Sequence, residues 1–352
     1  MFTIICLFCL VISYFVTGKV LNLAQKYNIV DDPKLEPTRK KQPQPVPLLG
    51  GLGFGIVAGL GTIFVWLMMR FNWFNQSARL YQNLFYDFHL GWILVAGVIL
   101  TIGGFLDDKL NFSSRRMFLI INIAVIIAVG LGGVRVESLS YPFDRILPDQ
   151  LWLHSLLAYI WIMLCVSATK FLDGHDGLVA TIGVWTLLTI AVVSLFANVN
   201  QPLIFILACI WASSILGFLP YNLPNAKIYL GEIGSETIGF VIGVLSILSG
   251  AKVATASSII GWFVLDLLLV FIIRFQAHKN LLAGGREHWH FRLVDSGFSK
   301  WQVLIFTLVI VVVSSILGLT LPTQFKPFVW ILQLLILLII FFGTQKPTQN
   351  HK

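Results

Sequence analysis

The sequence predicts an all-α polytopic membrane protein, and three observations carry that prediction. Hydrophobic residues make up 57% of the 352-residue chain and charged residues only 11%, with a mean hydropathy of +0.86, outside the range of soluble globular domains. The apolar runs are continuous over about 20 residues, the length a helix needs to cross a hydrocarbon core of about 30 Å. The short alternating segments of an outer-membrane barrel are missing.

Eleven spans are expected, at 2–22, 50–69, 91–106, 117–135, 152–169, 178–197, 202–219, 236–249, 254–273, 303–321 and 326–343. The first lacks a preceding basic stretch and a following small-residue cleavage site, so it is expected to be retained. The stretch from Ile238 to Ile273 is too long to cross once, and a tight hairpin around Ser249, Gly250 and Lys252 is expected to divide it. No linker or repeat divides the chain, so one domain, 1–352, is expected. Cys6, Cys9, Cys165 and Cys209 lie within apolar runs and suit core packing rather than disulfides or metal ligation.

Orientation follows from Lys and Arg. Of the 24 basic residues, only Arg70, Arg79, Arg135, Arg145, Lys252 and Lys326 fall on one side, so the richer side is expected to be cytoplasmic, with the N-terminus out and the C-terminus in. The net charge of +8 is spread through membrane-proximal loops without interleaved aromatic platforms, which argues against nucleic acid and for anionic lipid heads or phosphorylated substrates.

Most of the remaining polar chemistry sits on alternate connectors, and therefore on one membrane face. The connector 31–51 has four prolines from Pro37 to Pro47, which stiffen it, and Gly50 and Gly51 allow close helix packing. The series Gly50, Gly51, Gly53, Gly55 and Gly59 has no preceding strand, so it is assigned to helix packing rather than dinucleotide binding. Asp107 and Asp108 are adjacent carboxylates at a span end, costly there unless Lys109, Arg115 and Arg116, a metal or water compensates them. In KFLDGHDGL, Asp173 and Asp176 are three apart, as on one side of a helical turn, and converge with Lys170 and His175 in a manner suited to a magnesium-bound diphosphate. Pro220 and Pro224 are expected to break a helix, and Glu232 opens the next one, either as a metal ligand or as its N-terminal cap. Finally Arg286, His288, His290 and Arg292 alternate with Glu287, Trp289 and Phe291, a density of donors suited to phosphate or nucleotide, whereas zinc would require further soft ligands. Asp266 lies within a span, with Arg274 two turns on as its expected partner.

Taken in order, these connectors resemble the polyprenyl-phosphate N-acetylhexosamine-1-phosphate transferases, glycosyltransferase family 4, which includes the MraY translocase and the WecA-like and TagO-like initiating enzymes. The resemblance runs through Arg39 to Gly51 (R-K-x-x-x-x-P-V-P-x-x-G-G), Leu106 to Asp108 (L-D-D), Asp173 to Leu178 (D-G-x-D-G-L), NAKIYLGEIGS and Glu287 to Leu293. Arg286, Arg292 and the form of the proline-rich connector are closer to the WecA-like branch. The resemblance implies an enzyme that transfers a sugar 1-phosphate, N-acetylglucosamine-like, from a UDP-sugar to undecaprenyl phosphate or a similar lipid, releasing UMP, with Mg²⁺ required and Mn²⁺ as an alternative ion. It implies a bacterial inner-membrane protein whose site faces the cytoplasm.

On that basis Asp107, Asp108, Asp173 and Asp176 are the candidate catalytic residues, and Glu232, with Asp173 and Asp176, the candidate metal ligands. Lys170, His175, Asn222, Arg286, His288, His290 and Arg292 are the candidate substrate contacts. Three positions depart from the family pattern: Lys170 replaces Asn, Glu232 replaces Asp, and Phe291 replaces His. The competing readings are a phospho-N-acetylmuramoyl-pentapeptide transferase, a silent homologue acting as a scaffold, and a secondary transporter, which would instead keep its ionisable groups near the membrane midplane.

Overall fold

The computed structural model describes residues 2–34, 42–71, 90–136, 150–196, 199–249, 253–280 and 285–344. Residues 35–41, with Pro37 and Arg39 of the first motif, and the expected hairpin tip at Gly250 and Lys252 lie outside them, as do Arg79 and Arg145. In chain order the helices are α1 (Phe2–Lys26), α2 (Gly50–Arg70), α3 (Leu90–Leu110), α4 (Ser114–Gly130), α5 (Leu151–Leu172), α6 (Leu178–Ser194), α7 (Pro202–Asn222), α8 (Gly231–Leu248), α9 (Val253–Gln276), the short α10 (Trp289–Asp295), α11 (Lys300–Thr320) and α12 (Lys326–Gly343). The described strands are β1 (Val30–Asp31) and β2 (Val46–Pro47), a two-residue antiparallel pair between α1 and α2.

The protein is thus an all-α polytopic membrane protein. Each expected span falls on one of the long helices, and nine of the described helices are long and apolar enough to cross a membrane. The α6 segment is apolar but shorter, and α4 carries Arg115 and Arg116 in its first turn. Side chains such as Phe8, Leu60, Ile102 and Ile339 are exposed on the outside of the bundle, as hydrocarbon as solvent allows.

Three boundaries differ from the sequence expectation and matter for the polar end. Helix α3 extends to Leu110, so Asp107 and Asp108 belong to its last turn rather than to a connector. Helix α8 begins at Gly231, ahead of the expected span 236–249, with Glu232 in its first turn as the sequence reading had it. Pro220 does not break α7: the helix continues to Asn222 and stops before Pro224, with Leu223 extended at ψ 162°. The residue preceding a proline is driven out of helical geometry, whereas a proline within the final turn forfeits a single bond.

Helix α8 is the centre of the bundle, buried along nearly its whole length, and it packs against α2, α3, α5 and α6. Glycines permit this approach. A Cβ on Gly51 would stand 2.2 Å from the Gly234 nitrogen, and one on Gly104 2.6 Å from the Ile233 nitrogen. Gly50 and Gly53 are similarly close to Tyr229 and Thr17, as expected for packing. Gly55 and Gly59 are not: nothing stands within 4 Å of their Cβ positions, and they line an apolar groove of about 340 Å³ between α2, α3, α7 and α8.

Because backbone atoms face Gly51, no rotamer change relieves an added methyl group. Gly51→Ala should lower stability by roughly 1–3 kcal/mol through overpacking, read as a reduced thermal midpoint of the detergent-solubilised protein.

Candidate active site

The polar end of the bundle is assembled by bonds between connectors distant in sequence. Tyr229 N–H donates to the Pro47 carbonyl at 2.8 Å, and Gly50 N–H donates back to the Tyr229 carbonyl at 2.9 Å, so the α7–α8 connector secures the entry of α2. Asp31, on β1, accepts from Gln42 Nε2 at 2.8 Å. Asp108 Oδ1 accepts the backbone N–H of Glu232 at 2.9 Å. The N-terminus of α8 has no cap from its own side chains, and the Asp108 carboxylate, placed at the positive end of the helix, does this work from α3. The adjoining Gly231 has φ +69°, and a Cβ there would meet Asp108 Oδ2 at 2.3 Å. Capping by Glu232, one of the two sequence readings, is thereby replaced.

Glu232 instead turns to Lys170. The Lys170 ammonium, in the last turn of α5, lies 2.6 Å from Glu232 Oε2 and 2.8 Å from Glu236 Oε1. Asp107 is half-buried beside them, with Oδ1 enclosed and lacking a hydrogen-bond partner. Lys109, Arg115 and Arg116, expected to neutralise the two aspartates, are exposed and form no ion pair with them among the described residues. The two adjacent carboxylates therefore have different situations: Asp108 is bound into the fold and Asp107 faces the cluster.

The second aspartate pair divides likewise. It does not lie on a helical turn as expected, because α5 ends at Leu172 and the residues up to Gly177, at φ +74°, form a tight loop before α6. Asp176 is buried and its Oδ2 accepts from Lys300 Nζ at 2.7 Å and from the N–H groups of Asn225 and Ala226 at 3.0 and 3.4 Å. Asp173 is half-buried, and burial, then the charges of Glu232, Asp31 and Asp176, push it well above the ordinary carboxylate range against the pull of Lys170. Asn222, expected to contact substrate, is buried: its Oδ1 accepts from Gly177 N–H at 3.2 Å and its Nδ2 donates to the Ile228 carbonyl at 3.0 Å. Both ends of its amide are engaged in joining two connectors.

The histidine segment forms the other wall. Asp266, buried in α9, accepts from His288 Nδ1 at 2.7 Å and from Trp289 N–H at 3.1 Å; Arg274, the partner expected for it, pairs with Glu287 at 2.8 Å. His288 Nε2 and both nitrogens of His290 are buried with no hydrogen-bond partner. The His288 and His290 rings stack at 6.0 Å, and His175 stands 6.2 Å from His290. Burial, reinforced by His288, His175 and Arg286, holds His290 well below the usual histidine range. His175 donates from Nε2 to the Lys300 carbonyl at 3.0 Å, and burial lowers it too. Phe291, where the family pattern has histidine, packs its ring against Gly174 and carries the Arg286 guanidinium 4.5 Å from its centroid, while Arg286 also reaches Asp295 at 2.7 Å. Arg292 turns toward α12, donating to the Glu287 carbonyl at 2.7 Å and lying 4.1 Å from the Phe341 centroid.

The structure thus brings together Asp107, Lys170, Asp173 and Glu232, adjoined by His175, His288 and His290, and it directs Asp108, Asp176, Asn222 and Arg292 to contacts within the protein. Sequence reasoning overlooked Glu236 and Lys300. Glu236 had a signal, a carboxylate one helical turn after Glu232 in an apolar segment; Lys300 had none, since its partner is 124 residues away.

The model of glycosyl transferase family 4 matches residues 90–250, which include both aspartate pairs and Glu232. The chain is 29% identical over 335 residues, 93% of this chain and 86% of the relative, to a probable undecaprenyl-phosphate N-acetylglucosaminyl 1-phosphate transferase of Bacillus subtilis. It is 25% identical, over 97% of this chain and 98% of the relative, to an undecaprenyl-phosphate alpha-N-acetylglucosaminyl 1-phosphate transferase of Thermotoga maritima. A phospho-N-acetylmuramoyl-pentapeptide-transferase of Listeria monocytogenes is 28% identical over a smaller share, 65% of this chain and 76% of the relative. The similarity over nearly the full length is to the N-acetylglucosaminyl 1-phosphate transferases, and the match to glycosyl transferase family 4 across residues 90–250 supports that family for this chain.

Proposed function

We propose that this protein transfers N-acetylglucosamine 1-phosphate from a UDP-sugar to a polyprenyl phosphate such as undecaprenyl phosphate, at the cytoplasmic face of a bacterial inner membrane. An oxygen of the lipid phosphate attacks the sugar-bearing phosphorus of the diphosphate. The bridging phosphorus–oxygen bond to UMP breaks, and UMP leaves with those electrons. The products are a polyprenyl-diphosphate-linked sugar and UMP. The orientation rests on the excess of Lys and Arg in the connectors at this end and on the odd number of spans expected from the sequence.

The observation that carries this reading is the gathering of Asp107, Asp173 and Glu232 around a single ammonium, Lys170, at the end of an apolar bundle. Phosphoryl transfer demands positioning and charge neutralisation above other aids. Asp107 rather than Asp108 is the carboxylate for the lipid phosphate, because Asp108 Oδ1 is engaged by the Glu232 N–H at the N-terminus of α8, whereas Asp107 stands within reach of the charges of Glu232 and Lys170. Lys170 and Arg286 offer positive charge to the diphosphate, and the partnerless nitrogens of His288 and His290 offer hydrogen bonds.

A divalent cation suits these donors. The Glu232 side chain remains 31% exposed, and Asp173 carries a carboxylate that burial makes costly to ionise without a nearby cation. Among the described residues no group of three or more His, Cys, Asp and Glu forms a metal cluster; Mg²⁺ keeps water and takes one or two carboxylates together with substrate phosphates. Glu232 and Asp173 would hold Mg²⁺, or Mn²⁺, which when bound supplies charge neutralisation for the diphosphate.

Purified protein supplied with undecaprenyl phosphate, Mg²⁺ and a panel of UDP-sugars should release UMP with UDP-N-acetylglucosamine. Folded protein that turns over no sugar beside an active control would instead favour the scaffold reading. Glu232→Ala should abolish UMP release, and Asp107→Asn should reduce kcat by about a hundredfold or more.

Asp173→Asn should separate stability from activity. Because the folded-state pKa of Asp173 is raised, the native state holds more protons than the unfolded chain above the ordinary carboxylate value, and stability falls as pH rises through that interval. The variant should therefore show a higher thermal midpoint than the parent at pH 7 without divalent cation, with reduced UMP release, and the stability gain should vanish below about pH 4.

A further inference from the structure

Glu236 lies one helical turn along α8 from Glu232 and is wholly buried. A carboxylate without water inside a membrane-spanning helix persists when a cation is attached to it. Here that cation is Lys170, whose ammonium hydrogen-bonds Glu236 Oε1 at 2.8 Å and simultaneously stands 2.6 Å from Glu232 Oε2. Lys170 is also a departure from the family pattern, which has a neutral Asn there. An unpartnered lysine at that place would cancel the charge of Glu232, the carboxylate needed for a divalent cation. Glu236 restores it when ionised: Lys170, Glu232 and Glu236 then together carry the net charge of one carboxylate, the same as Glu232 beside a neutral Asn.

We propose that Glu236 is a positioning residue that, paired with Lys170, sets the charge of the cation site at Glu232. The ammonium is held from the buried side by Glu236, so it stays beside Glu232 as a fixed positive group for the diphosphate while the site remains negative enough for Mg²⁺. This inference rests on the reading of Glu232 as a cation ligand and adds to it a residue no motif contains.

The test is a Mn²⁺ titration of the full-length protein in detergent without substrates, following the loss of the free-ion electron paramagnetic resonance signal. Coulomb interaction at this range predicts that Lys170→Asn tightens Mn²⁺ by about tenfold or more and that Glu236→Gln weakens it by about the same factor. The double variant Lys170→Asn/Glu236→Gln should return to within about threefold of the parent. A purely structural role would move both single variants in the same direction, and that result, or no movement in either, overturns the proposal. Lys170→Asn leaves two carboxylates without their cation; if it fails to fold, recovery of a folded, Mn²⁺-binding protein in the double variant supports the pairing, and no recovery overturns it. Glu232→Gln in the same titration keeps the two readings apart. Binding that survives it refutes the cation site itself. Binding lost there, with Lys170 and Glu236 variants that fail to shift in opposite directions, refutes only the role of Glu236.

Discussion

The polar end of this protein depends on how the first turn of α8 is held. That turn begins at a glycine with positive φ, lacks a cap of its own, and is bound by the Asp108 carboxylate from α3. Gly51 and Gly104 let α2 and α3 approach its backbone from two sides. Unpaired N–H groups at a helix end buried among hydrocarbon would be costly, and a carboxylate at the positive end of the helix meets the need with both charge and hydrogen bond. Once the turn is fixed, Glu232 and Glu236 project from it at a set spacing, and the Lys170 ammonium of α5 closes on both.

A site for a diphosphate must be positive enough to attract its substrate and acidic enough to hold a divalent cation. Under the proposed function this chain would meet the two demands by dividing its carboxylates. Asp108 and Asp176 are consumed by backbone N–H groups and Lys300, which lock the connectors together. Asp107, Asp173 and Glu232 are left around the ammonium. The histidine wall follows the same logic: Asp266 fixes one edge of His288, and the other edge of the ring is without a partner. Phe291 gives up a donor but gains a surface that supports both the aspartate loop, at Gly174, and the guanidinium of Arg286. The departure thus exchanges one hydrogen bond for the placement of a charge.

Much of this was legible in the chain. Continuous apolar runs located every long helix, because in hydrocarbon a helix satisfies its backbone within itself and length alone determines whether it spans. The order of the aspartate motifs pointed to the chemistry, and Gly50 and Gly51 to a close helix contact. Helix ends were less legible. Asp107 and Glu232 sit within helical turns that extend past the apolar stretch, since a helix continues into the interface as long as its polar side chains have partners there.

The chain alone announces the class of the protein, the location of its long apolar helices, and which residue types are concentrated at one end. The packing of the bundle selects the partners: Glu232 N–H for Asp108, Lys300 for Asp176, His288 rather than Arg274 for Asp266, and Lys170 for the overlooked Glu236. The physical reason is sequence distance. The bonds that make these choices join residues 22 to 124 positions apart, Asp266 to His288, Lys170 to Glu236 and Asp108 to Glu232 among them, and come from elements packed side by side. Local periodicity reports which face of a helix is polar, but the neighbour that face meets is set by the packing of the whole bundle.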